Sequence, residues 1–202
     1  MVKKADLPKH IIDTAFALAA ERGWRDLSLA EIAAAAKVPL STLYPLFSSK
    51  QAIIEGFADH VDAAVMADED REGAETPARD RLFDVLMQRF EAMQPQREAI
   101  GAILQDQLRD PLSICCGMGR LMRSMATTLE AAGFSTTGLR GLLRIKGISA
   151  VYLSTLRVWL RDESEDMAKT MAFLDKQLQR ADSLAGRMSG CTMSGGMKRA
   201  AG

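Results

Sequence analysis

Ser41, Thr42 and Tyr44 place three hydroxyls within four residues, and Lys50 follows after a stretch without charge. Hydroxyls can hydrogen-bond to phosphate oxygens or to the edges of bases, and a lysine can reach a phosphate. Leu40 lies beside them and Lys37 just before. The same groups have plainer readings. Thr42 could cap or solvate its helix, Tyr44 could lay its ring on a neighbouring helix, and Lys50 could be an ordinary surface lysine.

Chemistry of other kinds finds little material. The only histidines, His10 and His60, both fall early in the chain, and no third partner completes a Ser/His/Asp or Cys/His set. Cys115 and Cys116 are adjacent, Cys191 stands apart, and no Cys-x-x-Cys pair occurs. A disulfide framework and a structural metal site are therefore not expected. Gly117-Met118-Gly119 is too short to read as a phosphate loop. The chain is expected to be no enzyme and to use no cofactor. The charge is balanced, 26 basic against 26 acidic side chains. Any grip on nucleic acid must then come from local geometry rather than from a global field.

The elements that position these groups are helices. Hydrophobic residues make up 48% of the chain and aromatic ones only 5%, and the alanine, leucine and methionine in the apolar positions favour helix over strand. Ile11, Ile12, Ala15, Phe16, Leu18 and Ala19 recur at helical spacing behind Pro8, and Gly23 ends that run, with Trp24 as a core plug. Ser28 and Glu31 form a capping-box pair for a second helix, Leu29 to Ala36. A short turn at Lys37-Val38-Pro39 leads to a third helix, Leu40 to about Leu46. Ser48 and Gln51 form another capping pair for a fourth. A very short turn between an alanine-rich helix and a small third one is helix-turn-helix geometry. Its core would be Phe16, Ile32, Ala33, Val38, Leu43 and Phe47, with Leu40, Ser41, Thr42 and Tyr44 outward.

The charged run from Asp68 to Pro77 reads as a boundary, with Thr76-Pro77 opening a fifth helix that Pro95 breaks. A sixth helix spans Arg97 to Leu108, and a seventh opens at Asp110-Pro111. An eighth, about Thr137 to Leu160, is apolar on more than one face, and a ninth runs from Ser164 to about Leu184. A helix apolar on two sides must be buried on two sides. Helices eight and nine are therefore expected to pair with their copies in a homodimer. Phe83, Met87, Phe90, Met118, Met122, Met125 and Tyr152 could line a site for a small hydrophobic ligand, or fill a core with soft side chains. The expected division is residues 1–66, a helix-turn-helix DNA-binding domain; 67–184, a helical ligand-binding and dimerisation domain; and 185–202, a disordered tail. No signal-type or membrane-spanning run is read, so a cytoplasmic location without stable membrane insertion is expected.

Residues 8–57 resemble the DNA-binding domain of the TetR family of bacterial transcription regulators. The segments Ala19 to Trp24, Leu27 to Ala33 and Val38 to Ile53 carry the likeness, most specifically the Thr42-Leu43-Tyr44 to Ser49-Lys50 stretch. The resemblance implies an all-α, TetR-like fold, a homodimer on a palindromic duplex operator, repression, and release by a small ligand. It also implies backbone contacts from Thr42, Tyr44 and Lys50, with Leu40 and Ser41 near base edges. The sequence departs from the pattern where Lys37 stands for the usual glycine, Pro39 for a serine cap and Leu40 for a polar or basic residue. Up to Met66 acidic residues slightly outnumber Lys plus Arg, so a phosphate-poor contact is expected.

A second likeness covers the other end. Tyr152, Val158 to Leu160, Asp162 to Ser164, Thr170, Leu174, Asp175 and Leu178 are similar to the C-terminal part of COQ9-like proteins. It implies an alternative: a lipid- or isoprenoid-binding protein supporting ubiquinone biosynthesis that has lost DNA binding.

Overall fold

A computed structural model describes residues 6–67, 76–109 and 111–193, with side chains for all of these except 111–116 and 184–193. The expected boundary at 68–75 falls outside the described residues, as do Asp110, the end of the tail and the thiols of Cys115, Cys116 and Cys191. Nine α-helices occupy the described residues: α1 Leu7–Arg22, α2 Leu29–Ala35, α3 Leu40–Leu43, α4 Lys50–Met66, α5 Ala78–Met93, α6 Arg97–Gln107, α7 Pro111–Ala131, α8 Gly138–Trp159 and α9 Ala168–Met193. A 3-10 turn, Gln94–Gln96, carries Pro95 between α5 and α6.

Local chemistry sets most of the boundaries. The Glu31 amide donates to Ser28 Oγ at 3.2 Å, and the Ser28 amide returns the bond to Glu31 Oε2 at 2.9 Å. This is the expected capping box, and the Ser28 hydrogen bonds hold the Glu31 carboxyl below its ordinary pKa. Helix α2 closes with a left-handed residue: Lys37 has φ 56°, while the Lys37 and Val38 amides donate to Ala34 and Ala33 carbonyls. That pattern favours glycine, because a β-carbon crowds the backbone there. Lys37 holds the conformation at a conformational cost.

Several boundaries differ from the expected ones. Helix α3 stops at Leu43 and continues only as a turn to Leu46, since Pro45 lacks the N–H that would reach Ser41. Ser49, not Ser48, caps α4, accepting from the Ala52 amide at 3.1 Å. Helix α5 starts after Pro77, and Thr76 offers no cap. Helix α9 begins at Ala168 rather than Ser164, and its backbone runs past Leu184 to Met193.

Ile11, Ala15, Phe16, Ile32, Leu43 and Ile53 are fully or nearly fully buried in the first four helices. Phe16 meets Phe57 across α1 and α4, with ring centroids 4.4 Å apart. In the second half Phe90, Met125, Trp159 and Leu174 form the deepest layer. Tyr152 stacks on Phe90 at 5.4 Å. The two halves share contacts: α1 packs on α6, and α4 packs on both α5 and α7. The short helix α3 lies away from that junction, against α2.

Candidate nucleic-acid interface

Helix α3 is fixed by one side chain. Leu43 is fully buried, with Ile32, Ala33 and Phe47 around the same core, and Val38 half-buried beside it. At 100° per residue Ser41 stands nearly opposite Leu43, Leu40 and Tyr44 share one flank, and Thr42 takes the other. All four are exposed, Tyr44 at 58% and Leu40 at 44%, and so is Lys37. The alternative in which Tyr44 packs on α1 is not the one adopted.

Lys50 is placed differently from its neighbours. Its ammonium donates to the carbonyls of Trp24 and Arg25, each at 2.8 Å, and lies 5.4 Å from the centre of the Trp24 ring. Burial pushes its pKa down, against the opposing pull of Asp26 and Asp106. From the other half of the molecule Asp106 accepts the amides of Trp24 and Arg25 at 2.8 and 2.9 Å. The Arg25 amide, together with that of Trp24, holds the Asp106 carboxyl below the usual range, with burial opposing. The turn after α1, which passes through Gly23 at φ 83°, is thus clamped at its carbonyls by α4 and at its amides by α6. Trp24 is buried, as a core plug should be. His10 ties the same unit together, with Nε2 3.0 Å from the Ala36 carbonyl.

Met87, Phe90, Met125 and Tyr152 are buried in mutual packing, Phe83 packs at the edge, Met122 is half-buried and Met118 is exposed. Two cavities lie at seams between the halves. One, of about 190 Å³, is lined by Ile12, Phe57, His60, Ala92 and Pro95 among others. The other, of about 320 Å³, is lined by Trp24, Lys50, Gln51, Asp106 and Gln107 among others. Among the described residues no group of three or more His, Cys, Asp or Glu gathers as a metal cage.

Sequence reasoning missed a charge in the second half. Arg89 is 4% exposed. It binds Asp62 of α4 through one terminal nitrogen and Ser124 Oγ at 2.7 Å through the other. Ser124 donates in turn to Asp62 Oδ1 at 2.6 Å, and Arg120 reaches Asp62 at 2.8 Å and Asp59 at 2.6 Å. The Arg89 guanidinium also lies 5.6 Å from the Tyr152 ring centre. Burial raises the Tyr152 pKa, and Arg89 acts against that. The signal was present in the stripe of α5: Leu82, Leu86, Arg89 and Met93 follow one another at helical spacing, so Arg89 occupies a core position.

A three-helix unit with an exposed short helix, docked on a larger helical domain, defines a helix-turn-helix protein. Comparison with known proteins specifies the class. Residues 11–56 match the family model described as bacterial regulatory proteins, tetR family. Residues 145–185 match the COQ9 model. A Mycobacterium tuberculosis protein described as a mycofactocin biosynthesis transcriptional regulator, MftR, is 28% identical, with 84% of this chain and 87% of that protein covered. The crystal structure of a TetR transcriptional regulator from Nitrosomonas europaea superposes with a TM-score of 0.72 at 26% identity, covering 87% of this chain and 97% of that one. A TetR transcriptional regulator from Rhodococcus sp. RHA1, at 17% identity and a TM-score of 0.57, shares the fold, with 88% of this chain and 97% of that one covered. The chain is similar to TetR-family transcriptional regulators in its N-terminal helices and shares their fold, and a COQ9-like segment runs across α8 and α9. No described helix is long and apolar enough to cross a membrane.

Proposed function

We propose that the protein is a homodimeric repressor that sets α3 of each subunit into successive major grooves of a near-palindromic duplex, about one helical turn apart. The observation that carries this is the outward placement of Ser41, Thr42 and Tyr44 around the buried Leu43. Leu40 and Ser41, at the start of α3, face base edges. Thr42 and Tyr44 flank the sugar-phosphate strands, and Lys37 supplies the nearby positive charge. Lys50 acts chiefly by stiffening the turn at Trp24 and Arg25, and contributes field rather than a reaching contact.

Residues 1–66 form the DNA-binding unit and the helices after them the dimerisation unit. Helices α8 and α9 pack on each other and leave Leu139, Leu142 and Leu143 exposed, Leu139 at 73%. A contiguous apolar strip of this kind calls for cover, and the matching strip of a second subunit provides it. A hydrophobic effector would enter by displacing methionines beside Phe83, Met87 and Met122.

Pooled duplex fragments from the source genome, titrated against the full chain at low and moderate salt, test the reading. Enrichment of one palindromic, salt-sensitive sequence is the expected result. No enrichment, together with co-purified isoprenoid lipid, would favour the COQ9-like alternative that the match over residues 145–185 suggests.

A further inference from the structure

The surface of α3 limits which bases it can read. From Val38 to Ser49 there is no Arg, Lys, Asn, Gln, Asp, Glu or His. The bidentate pairings that select guanine or adenine need a guanidinium, ammonium or carboxamide, and those that select cytosine need a carboxylate. None can be made from this segment. A lone exposed leucine means little, but Leu40, Tyr44 and Leu46 are exposed at 44, 58 and 43% within seven consecutive residues. They form an apolar patch around the hydroxyls of Ser41 and Thr42. The feature of a major-groove floor complementary to an aliphatic side chain is the C5-methyl group of thymine. Leu40 is the first residue of α3 and shares a flank with Tyr44, and the N-terminal residues of such a helix meet base edges.

We propose that Leu40 is the specificity-determining residue of this regulator and that it reads thymine methyl groups in each half-site. Ser41 adds a single hydrogen bond that many base edges can accept. The operator therefore carries thymine at the positions under Leu40. This inference rests on the DNA-binding reading given above.

The test uses the full chain and the duplex it enriches from a random pool. Each thymine of that duplex is replaced in turn by deoxyuridine, which removes only the methyl group and leaves base pairing intact. Affinity is expected to fall about fourfold at one or two positions per half-site, the worth of one buried methyl-sized group. Leu40→Ala should weaken binding to the thymine duplex and bring the deoxyuridine penalty at those positions close to onefold. Because Leu40 is exposed, that variant keeps its core, and circular dichroism confirms the fold. A duplex that is enriched but indifferent to deoxyuridine would overturn the methyl reading while leaving the regulator in place. The same holds for a deoxyuridine penalty that survives in Leu40→Ala. Failure to enrich any duplex would overturn the DNA-binding reading, and this inference with it.

Discussion

The two halves of the molecule hold together by different means. Among the described residues of α1–α4 no polar side chain is buried, whereas the part of the chain from α5 onward buries seven: Arg89, Ser124, Thr128, Ser149, Thr155, Asp162 and Thr170. The first half fills its centre with aliphatic and aromatic groups, and its Asp62 faces the second half rather than that centre. The second half closes three of its five buried hydroxyls onto carbonyls of the preceding turn, while Ser124 and Thr170 donate to the Asp62 and Asp162 carboxylates. Thr128 donates to Ser124 at 3.0 Å, Ser149 to Ile145 at 2.7 Å and Thr155 to Val151 at 2.9 Å. Its buried charges, Arg89 and Asp162, sit in networks that leave few groups unmatched. The difference teaches that the helix-turn-helix unit is held by apolar packing, while the unit that carries it has polar locks that define how α4 and α9 are held. A network whose members depend on one another is sensitive to the loss of any one of them.

The sharpest way to break the contrast is at Asp62. Asp62→Ala leaves Arg89 charged and buried without its carboxylate, held by Ser124 and against the Tyr152 ring. Removing one partner of a buried pair typically costs about 3–5 kcal/mol. The urea midpoint should fall accordingly. The double variant Asp62→Leu/Arg89→Met should recover most of the loss, because no unpaired charge remains. A single-variant loss within ~0.5 kcal/mol, the range of ordinary surface changes, would show that the lock is not what fixes α4.

Next in size is Asp162, a buried carboxylate between α8 and α9. Burial alone would raise its pKa, but hydrogen bonds from the hydroxyls and amides of Ser164 and Thr170 prevail and hold it well below the usual carboxylate range. A depressed folded-state pKa contributes stability in full above the unfolded value of about 4, and that stability is lost as the pH falls through the folded value. Asp162→Ala should therefore cost about 2 kcal/mol at neutral pH, with the melting curves of variant and wild type drawing together in strong acid. Parallel curves across that range would refute the assignment.

Asp106→Ala asks whether the first half depends on the second for its shape. The Trp24 and Arg25 amides lose their acceptor, at about 1–2 kcal/mol. Their hydrogen exchange should quicken ahead of that of the Ile32 and Leu43 amides. Uniform acceleration across α1–α4 would mean that Asp106 supports the whole unit rather than the one turn.

The smallest effect sharpens the comparison from the other side. Lys37→Gly relieves a left-handed residue and should stabilise the protein by up to about 1 kcal/mol, while removing one exposed cation near α3. Thermal melting should rise as DNA affinity falls slightly. A lower melting temperature would mean that the lysine side chain supplies more than its backbone strain removes.

Legibility followed the range of the forces involved. The Ser28–Glu31 box, the buried stripe of Ile11, Phe16 and Ile32, the outward set Leu40, Ser41, Thr42 and Tyr44, and the plug at Trp24 were all readable, since each depends on spacing within a turn or two of helix. The cap of α4 was misplaced by one residue because Ser48 and Ser49 offer the same hydroxyl, and only the path of the chain selects between them. Lys50 could not be assigned from its own neighbourhood, for its partners Trp24 and Arg25 lie 25 and more residues earlier. Arg89 was legible as an out-of-place charge in an apolar stripe, but not as a partner of Asp62.

By itself the amino-acid order determined that this chain is helical, that a small uncharged helix follows an alanine-rich one, and where most helices begin, because hydrophobic period and capping chemistry are local. Tertiary structure alone decided that α6 clamps the turn after α1, that α4 is held through Asp62 by α5 and α7, and that Met87 and Met125 are buried while Met118 is exposed. Those outcomes depend on which surfaces meet once the chain is compact, and a charge or a cavity acquires its energy only from what then stands beside it.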